Sequence, residues 1–275
     1  MKKYTQEEFD AIPVDENGIR HCPTGDYTAI NRFGVHCSFG VDCSFGEVCR
    51  FDAGCSFGAH CSFGEYCSFG VGCSFGEYCS FGVGCSFGVD CGFGAHCSFG
   101  EYCSFGEYCS FGVGCSFGGG CSFGEVCRFG EYCSFGEYCS FGVGCSFGVD
   151  CGFGAHCSFG GGCSFGEVCR FGGGCSFGEV CRFGAACRFG AHCICEFGQF
   201  VSMLSVGGFG SCGRTTYFFL LSDGCICVRC GCFAGTLDEW AAQVKRTHRD
   251  SQIAQAYLLL IPAIKAQFMG GFCNG

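Results

Sequence analysis

From Phe33 to Phe189 a large apolar residue recurs at every sixth position, and a cysteine follows each one four residues later, from Cys37 to Cys193. Both beats run through 27 units without an insertion. Glycine follows the phenylalanine in every unit except at Asp52, and the repeating unit is Phe-Gly-x-x-Cys-Ser, as in Phe63-Gly64-Glu65-Tyr66-Cys67-Ser68. A period of six fits neither the 3.6 of an α-helix nor a five-residue solenoid, but three such units close a coil of 18 residues. The pattern therefore predicts a mainly β fold, a parallel β-helix with a triangular solenoid of about nine coils over residues 33–194. At a strand spacing of about 4.8 Å such a rod is roughly 43 Å long. Phenylalanine stacks on phenylalanine and cysteine on cysteine up each side, because one coil alone buries almost nothing.

The flanking segments keep other periods. Residues 1–32 read as an N-terminal cap, with Thr5-x-x-Glu8 as a capping box for a short helix carrying Phe9 and Ile12, and Gly18 to Tyr27 leading into the first coil. Residues 195–275 read as an α+β module. Phe200 to Val206, Thr215 to Leu221 and Cys225 to Phe233 alternate as strands between Gly-rich turns. Thr236-Leu237-Asp238-Glu239 is a second capping box, opening a helix with Leu237, Trp240, Ala241, Val244 and His248 on one face. A second helix follows Asp250, with Ile253, Ala256, Tyr257, Leu260 and Ile264 on its apolar face and Pro262 as a kink or break. This module is a candidate dimerisation surface.

Composition adds the chemistry. There are 52 Gly, 36 Phe and 35 Cys among 275 residues. No basic, then apolar, leader follows Met1, so the chain reads as cytoplasmic with free thiols. Stacked cysteines have parallel Cβ vectors about 4.8 Å apart, wider than the roughly 3.8 Å of a disulfide, and read as small core residues. The apolar stretch Tyr257–Ile264 is too short to span a bilayer. The net charge of −10 argues against direct nucleic-acid binding. Most of it lies in residues 33–194, where ten Glu and four Asp face five Arg.

A large apolar residue followed four positions later by a small one, as in Phe63 and Cys67, resembles the hexapeptide-repeat family over about 160 residues. That resemblance implies left-handed coiling. Phenylalanine stands here where the family has Ile, Leu or Val, which implies a wider or differently packed prism. The family includes acyltransferases that carry a catalytic histidine near a loop extruded from the coil. This repeat has no insertion. The Cys-Ser-Phe-Gly run, with Thr216-Tyr217-Phe218-Phe219, Gly231 to Glu239 and Thr247-His248, also resembles proteins of phages and prophages in gut Firmicutes, which implies the cytoplasm of a bacterial host.

Candidate site residues fall at the variable positions. His36, His60, His96, His156 and His192 share the second of these, and His60 and His96 lie two coils apart, too far for one metal or one acid/base pair. No catalytic residue emerges, and the chain reads as not an enzyme. Cys225-x-Cys227-x-x-Cys230-x-Cys232 has metal-like density, yet strand alternation sends Cys225 and Cys227 one way and Cys230 and Cys232 the other, so zinc there is a weak expectation and no cofactor is called. Arg50, Arg128, Arg170, Arg182 and Arg188 are expected to pair with glutamate. The sharper candidates are Glu65-Tyr66, Glu77-Tyr78, Glu101-Tyr102, Glu107-Tyr108, Glu131-Tyr132 and Glu137-Tyr138, rigid aromatic anchors beside carboxylates.

These readings predict a binding protein that presents an acidic, tyrosine-studded rod to a host protein or protein–nucleic-acid complex. With the phage resemblance, the expected role is inhibition of a host defence or nucleic-acid-handling complex, of anti-CRISPR or DNA-mimic type. A self-assembling structural solenoid, suggested by the identical segments 77–100 and 137–160, and an acyltransferase-like enzyme are the alternatives.

Overall fold

The computed structural model describes residues 1–209 and 214–270. They divide into two compact units, Met1–Gly190 and Ala191–Gly275.

The first unit is a parallel β-solenoid of about ten turns. Each six-residue unit contributes one two-residue strand, such as Ser98–Phe99, Ser104–Phe105 and Ser110–Phe111, and successive units fall in three different sheets. Two of these sheets have ten strands. Ser80 pairs with Ser98 and Phe81 with Phe99, and the same 18-residue offset holds from coil to coil. The earliest strands, Arg20–Cys22 and Asp26–Tyr27, already pair with Cys37–Phe39 and Ser44–Phe45, so the solenoid begins before the phenylalanine beat does.

The core explains why the repeat tolerates so little variation. Phe99, Phe117 and Phe135 stack face to face at 4.8 Å and 2°. Neighbouring columns meet edge to face, as Phe111 meets Phe117 at 5.1 Å and 87°. Both arrangements suit the aromatic quadrupole, so one ring type satisfies every contact in the core. The glycine after each phenylalanine is needed because the coils approach closely there. A Cβ on Gly118 would lie 2.6 Å from the backbone nitrogen of Glu101 in the coil before. That glycine's carbonyl accepts a hydrogen bond from the next coil's thiol, as in Cys97 Sγ to Gly76 O at 3.3 Å and Cys115 Sγ to Gly94 O at 3.4 Å. The buried thiol and the carbonyl thereby satisfy each other.

The second variable residue of each unit turns the corner in the left-handed region, with φ 58° at Tyr102 and 60° at Tyr138. Its N–H donates to the following coil, as Tyr102 N to Gly119 O at 2.9 Å. Even Val126 holds φ 58°, a conformation that costs a β-branched residue about 1–2 kcal/mol and persists only because the stacked coils impose it.

The N-terminal helix α1, Gln6–Asp10, begins with the capping box of Thr5 and Glu8. It lays buried Phe9 edge-on over Phe33 at 5.1 Å, closing the aromatic column. Arg20 holds the lid down, donating to Phe9 O at 2.7 Å and packing over the Phe9 ring.

The second unit has a different logic. The antiparallel strands Gly198–Phe209, Arg214–Leu221, Ile226–Cys230 and Phe233–Thr236 follow one another as hairpins. Helices α2, Leu237–His248, and α3, Gln252–Gly270, follow them. Phe218, Val228, Leu237, Trp240, Val244, Tyr257, Ile264 and Phe268 form the shared core. Arg229 pairs with Glu196, both side chains 15 % exposed.

Three local expectations need correction. Cys225 to Phe233 is not one strand, because Gly231 at φ +61° turns the chain between Ile226–Cys230 and Phe233–Thr236. Pro262 does not break the last helix, which runs through it, and Ala254 is buried on that helix where Ala256 was expected. The repeat arginines do not pair with glutamate among the described residues. Arg50 pairs with Asp52 at 3.8 Å and Arg170 with Asp150 at 3.2 Å, because aspartate at a turn lies within reach of an arginine on a strand.

Candidate interaction corner

The six Glu-Tyr pairs occupy corners between the sheets, where both side chains leave the core. All six tyrosines are 50–67 % exposed. The 18-residue offset sorts them unequally. Glu65-Tyr66, Glu101-Tyr102 and Glu137-Tyr138 share one corner, at every second coil. The backbone bonds Tyr66 N to Val83 O, Gly84 N to Glu101 O, Tyr102 N to Gly119 O and Gly120 N to Glu137 O run through that corner in sequence. Glu77-Tyr78 and Glu131-Tyr132 share a second corner three coils apart, and Glu107-Tyr108 belongs to the third. One corner therefore gathers half of the candidate residues.

Side chains at the corners form ladders. On the second corner His60, Tyr78 and His96 stack in succession, with centroids 5.1 and 5.0 Å apart. The histidines that looked isolated in the sequence are thus held in one stack by the tyrosine between them. On the first corner Tyr138 stacks on His156 at 5.1 Å. Where a ladder position is glycine, the preceding ring leans over it. A Cβ on Gly84 would lie 2.6 Å from the Tyr66 ring, and one on Gly120 would lie 2.6 Å from the Tyr102 ring.

At Gly119-Gly120 both corner side chains are missing together. The result is a slot of about 410 Å³ lined by Glu101, Tyr102, Gly119, Gly120, Glu137 and Tyr138. Neither Glu101 nor Glu137 has an ion-pair partner among the described residues. Sequence reasoning identified the four Glu and Tyr residues and missed the gap between them. Its signal was the run Gly118-Gly119-Gly120, which removes both variable side chains from a single unit.

Among the described residues, Cys225, Cys227, Cys230 and Cys232 do not come together as one set of metal ligands. Cys227 is buried, Cys225 and Cys230 are half-buried and Cys232 is exposed on the turn. Burial first, then the neighbouring Cys225, pushes the Cys227 thiol up to about 12. Cys230 Sγ accepts from Thr216 Oγ1 at 3.2 Å.

With this geometry in hand, the chain was compared with known proteins. The model of an RNA-binding, Nab2-type zinc-finger family of CCCH type matches residues 32–46, 49–64, 66–82, 85–106, 114–130, 156–172, 168–184 and 181–194, together a little under half of the chain. No curated protein and no solved structure matches it. The zinc-finger match overturns the resemblance to hexapeptide-repeat and phage proteins. The phage and anti-defence setting drawn from that resemblance falls with it.

The residues do not fit the zinc that such a family name implies. A structural zinc needs four converging ligands. Cys85, Cys91 and Cys97 instead bond to Gly64, Gly70 and Gly76 in three separate columns, and His96 points outward onto Tyr78. The matched stretches 66–82, 114–130 and 168–184 contain no histidine. Among the described residues no three metal-binding side chains come together. Also among them, no helix is long and apolar enough to cross a membrane.

Proposed function

We propose that the protein is a non-enzymatic, cytoplasmic binding rod whose Glu65/Glu101/Glu137 corner engages a basic segment of a partner protein. One observation carries this reading. Three exposed tyrosines and three carboxylates recur on one rigid edge at every second coil, a spacing of about 10 Å. Tyrosine supplies contact area at low entropic cost, and the carboxylates select a positively charged partner. The edge is held by backbone bonds on both sides of each corner, so little ordering cost accompanies binding. Left-handed, three-sided coiling and a dimer through the second unit belong to the same proposal.

The zinc-finger match, together with the stacked aromatic ladders, favours a second reading, single-stranded RNA stacking its bases on the tyrosines. The two readings respond oppositely to charge. Titration of a fluorescent arginine-rich peptide and of a single-stranded RNA oligonucleotide against the wild type and Glu65→Gln/Glu101→Gln/Glu137→Gln separates them. Peptide binding that weakens at least tenfold in the triple variant supports the protein-binding reading. RNA binding that strengthens when the carboxylates are removed overturns it in favour of the second.

A further inference from the structure

The ladders show what the corner geometry accepts. At His60, Tyr78 and His96 three successive corner residues carry rings, and the middle ring sits about 5 Å from each neighbour. Between Tyr102 and Tyr138 that middle ring is absent. Tyr102 leans over Gly120 and Tyr138 leans on to the level of His156, so both rings tilt the same way, about two coil steps, or roughly 10 Å, apart. A planar group entering between them would take the place of the missing rung.

Gly119 opens the way in. On the same corner, the otherwise comparable step Val83-Gly84 carries a valine where Gly119 has no side chain. The Gly119-Gly120 step lines the slot between the two tyrosines, whereas the other paired glycine of this corner, Gly173-Gly174, lies between His156 and His192. At its rim stand Glu101 and Glu137, exposed and without ion-pair partners among the described residues. The backbone floor offers little to a ligand. Gly119 O already accepts from Tyr102 N, and Gly120 N already donates to Glu137 O. Recognition must therefore come from ring faces and carboxylates. A neutral ring would satisfy the faces and leave the carboxylates unmatched. A compact ammonium would satisfy the carboxylates without stacking on both walls. A guanidinium is planar, permanently charged, stacks on aromatic faces and presents donors to carboxylates in its own plane.

We infer that the slot between Tyr102 and Tyr138 receives the guanidinium of an arginine side chain presented by the partner protein, with Glu101 and Glu137 as its counter-charges. This rests on the protein-binding reading above and specifies its central contact.

The test uses the full chain with ring-labelled tyrosine, titrated with N-acetyl-arginine-N-methylamide and with the lysine counterpart and followed by NMR. Shifts confined to the Tyr102 and Tyr138 rings, saturable, and at least threefold tighter for arginine than for lysine, support the assignment. Gly120→Tyr supplies the missing rung and should abolish these shifts. Tyrosine already occupies the equivalent left-handed position in six units, three of them on this edge, so the backbone accepts the variant once the Tyr102 ring swings aside. Gly119→Val, which copies the Val83 step, is the second blocking variant. Glu101→Gln and Glu137→Gln should each weaken arginine binding several-fold. Equal binding of lysine, uniform shifts at all six corner tyrosines, or undiminished binding in both blocked variants overturns the inference. If the arginine-rich peptide binds the blocked variants as tightly as the wild type, the slot assignment alone fails. If that peptide does not bind the wild type at all, the protein-binding reading itself fails.

Discussion

The two units of this chain reach stability by opposite routes. In the solenoid every buried ring meets copies of itself, and each coil touches only the coils before and after it. Phe117 lies between Phe99 and Phe135 in a geometry that Phe105 and Phe129 repeat almost unchanged. In the second unit no two core positions are alike. Trp240 meets Phe218 and Tyr257 edge-on, and the Arg229–Glu196 pair has no counterpart among the described residues. A defect in the repeat is felt through the adjoining coils alone, whereas a defect in the second unit acts on a core whose contacts occur once.

The difference can be tested because Trp240 is the chain's single tryptophan and reports the second unit, while amide hydrogen exchange at the Ser-Phe strands reports the solenoid. The largest effect is expected from Phe117→Ala, which removes a ring 5 % exposed and should destabilise the solenoid by about 3–5 kcal/mol in chemical denaturation. The Trp240 transition should stay in place. If it moves equally, the units unfold together and the contrast fails. Arg229→Leu leaves Glu196 unpaired in a mostly buried setting, and should cost the second unit about 2–4 kcal/mol, somewhat below a fully buried pair because both groups keep some solvent contact. Here the Trp240 transition should shift and the solenoid's should not.

Acid provides a third discriminator. The Thr236 backbone N–H and then its hydroxyl hold Glu239 below the usual carboxylate range. Glu239 thus stabilises α2 at pH values above its unfolded pKa, about 4.3, and that contribution is lost as pH falls through the lower folded value. The Trp240 midpoint should therefore drop below about pH 4, and drop less in Glu239→Gln. The comparable carboxylates of the first unit, Glu8, Asp15 and Asp26, all lie before the phenylalanine repeat, so acid should loosen that end first, read by hydrogen exchange. Val126→Gly relieves a β-branched residue at φ 58° and should stabilise the solenoid by about 0.5–1 kcal/mol. Smallest of all, a zinc chelator should leave both transitions where they are, whereas a zinc-dependent fold would unfold.

Some of this organisation was legible in the residues and some was not, for reasons that differ by region. Phe99, Gly100 and Cys103 repeat the same demands as Phe81, Gly82 and Cys85, so 18-residue coils follow from spacing alone. Both capping boxes, at Thr5/Glu8 and Thr236/Glu239, were readable because a cap is a contact across three residues. The break that Pro262 allowed does not occur, because packing of Ile264 and Phe268 carries the helix past a residue that local preference places at its end. The Cys225–Phe233 stretch misled because Gly231 supplies a turn inside an unbroken apolar pattern.

At the candidate corner the division is similar. The sequence by itself determined the six-residue period, the identity of the buried column and the outward position of each glutamate and tyrosine, since these depend on spacing along one chain and on the need to bury phenylalanine. Only the tertiary structure decided that His60 and His96 are joined through Tyr78, that Tyr102 leans across Gly120, and that no three metal-binding side chains come together among the described residues. Those features depend on how a ring in one coil meets a residue eighteen positions later, and glycine makes such a site by what it lacks, which becomes visible only when the neighbouring coils stand on either side of it.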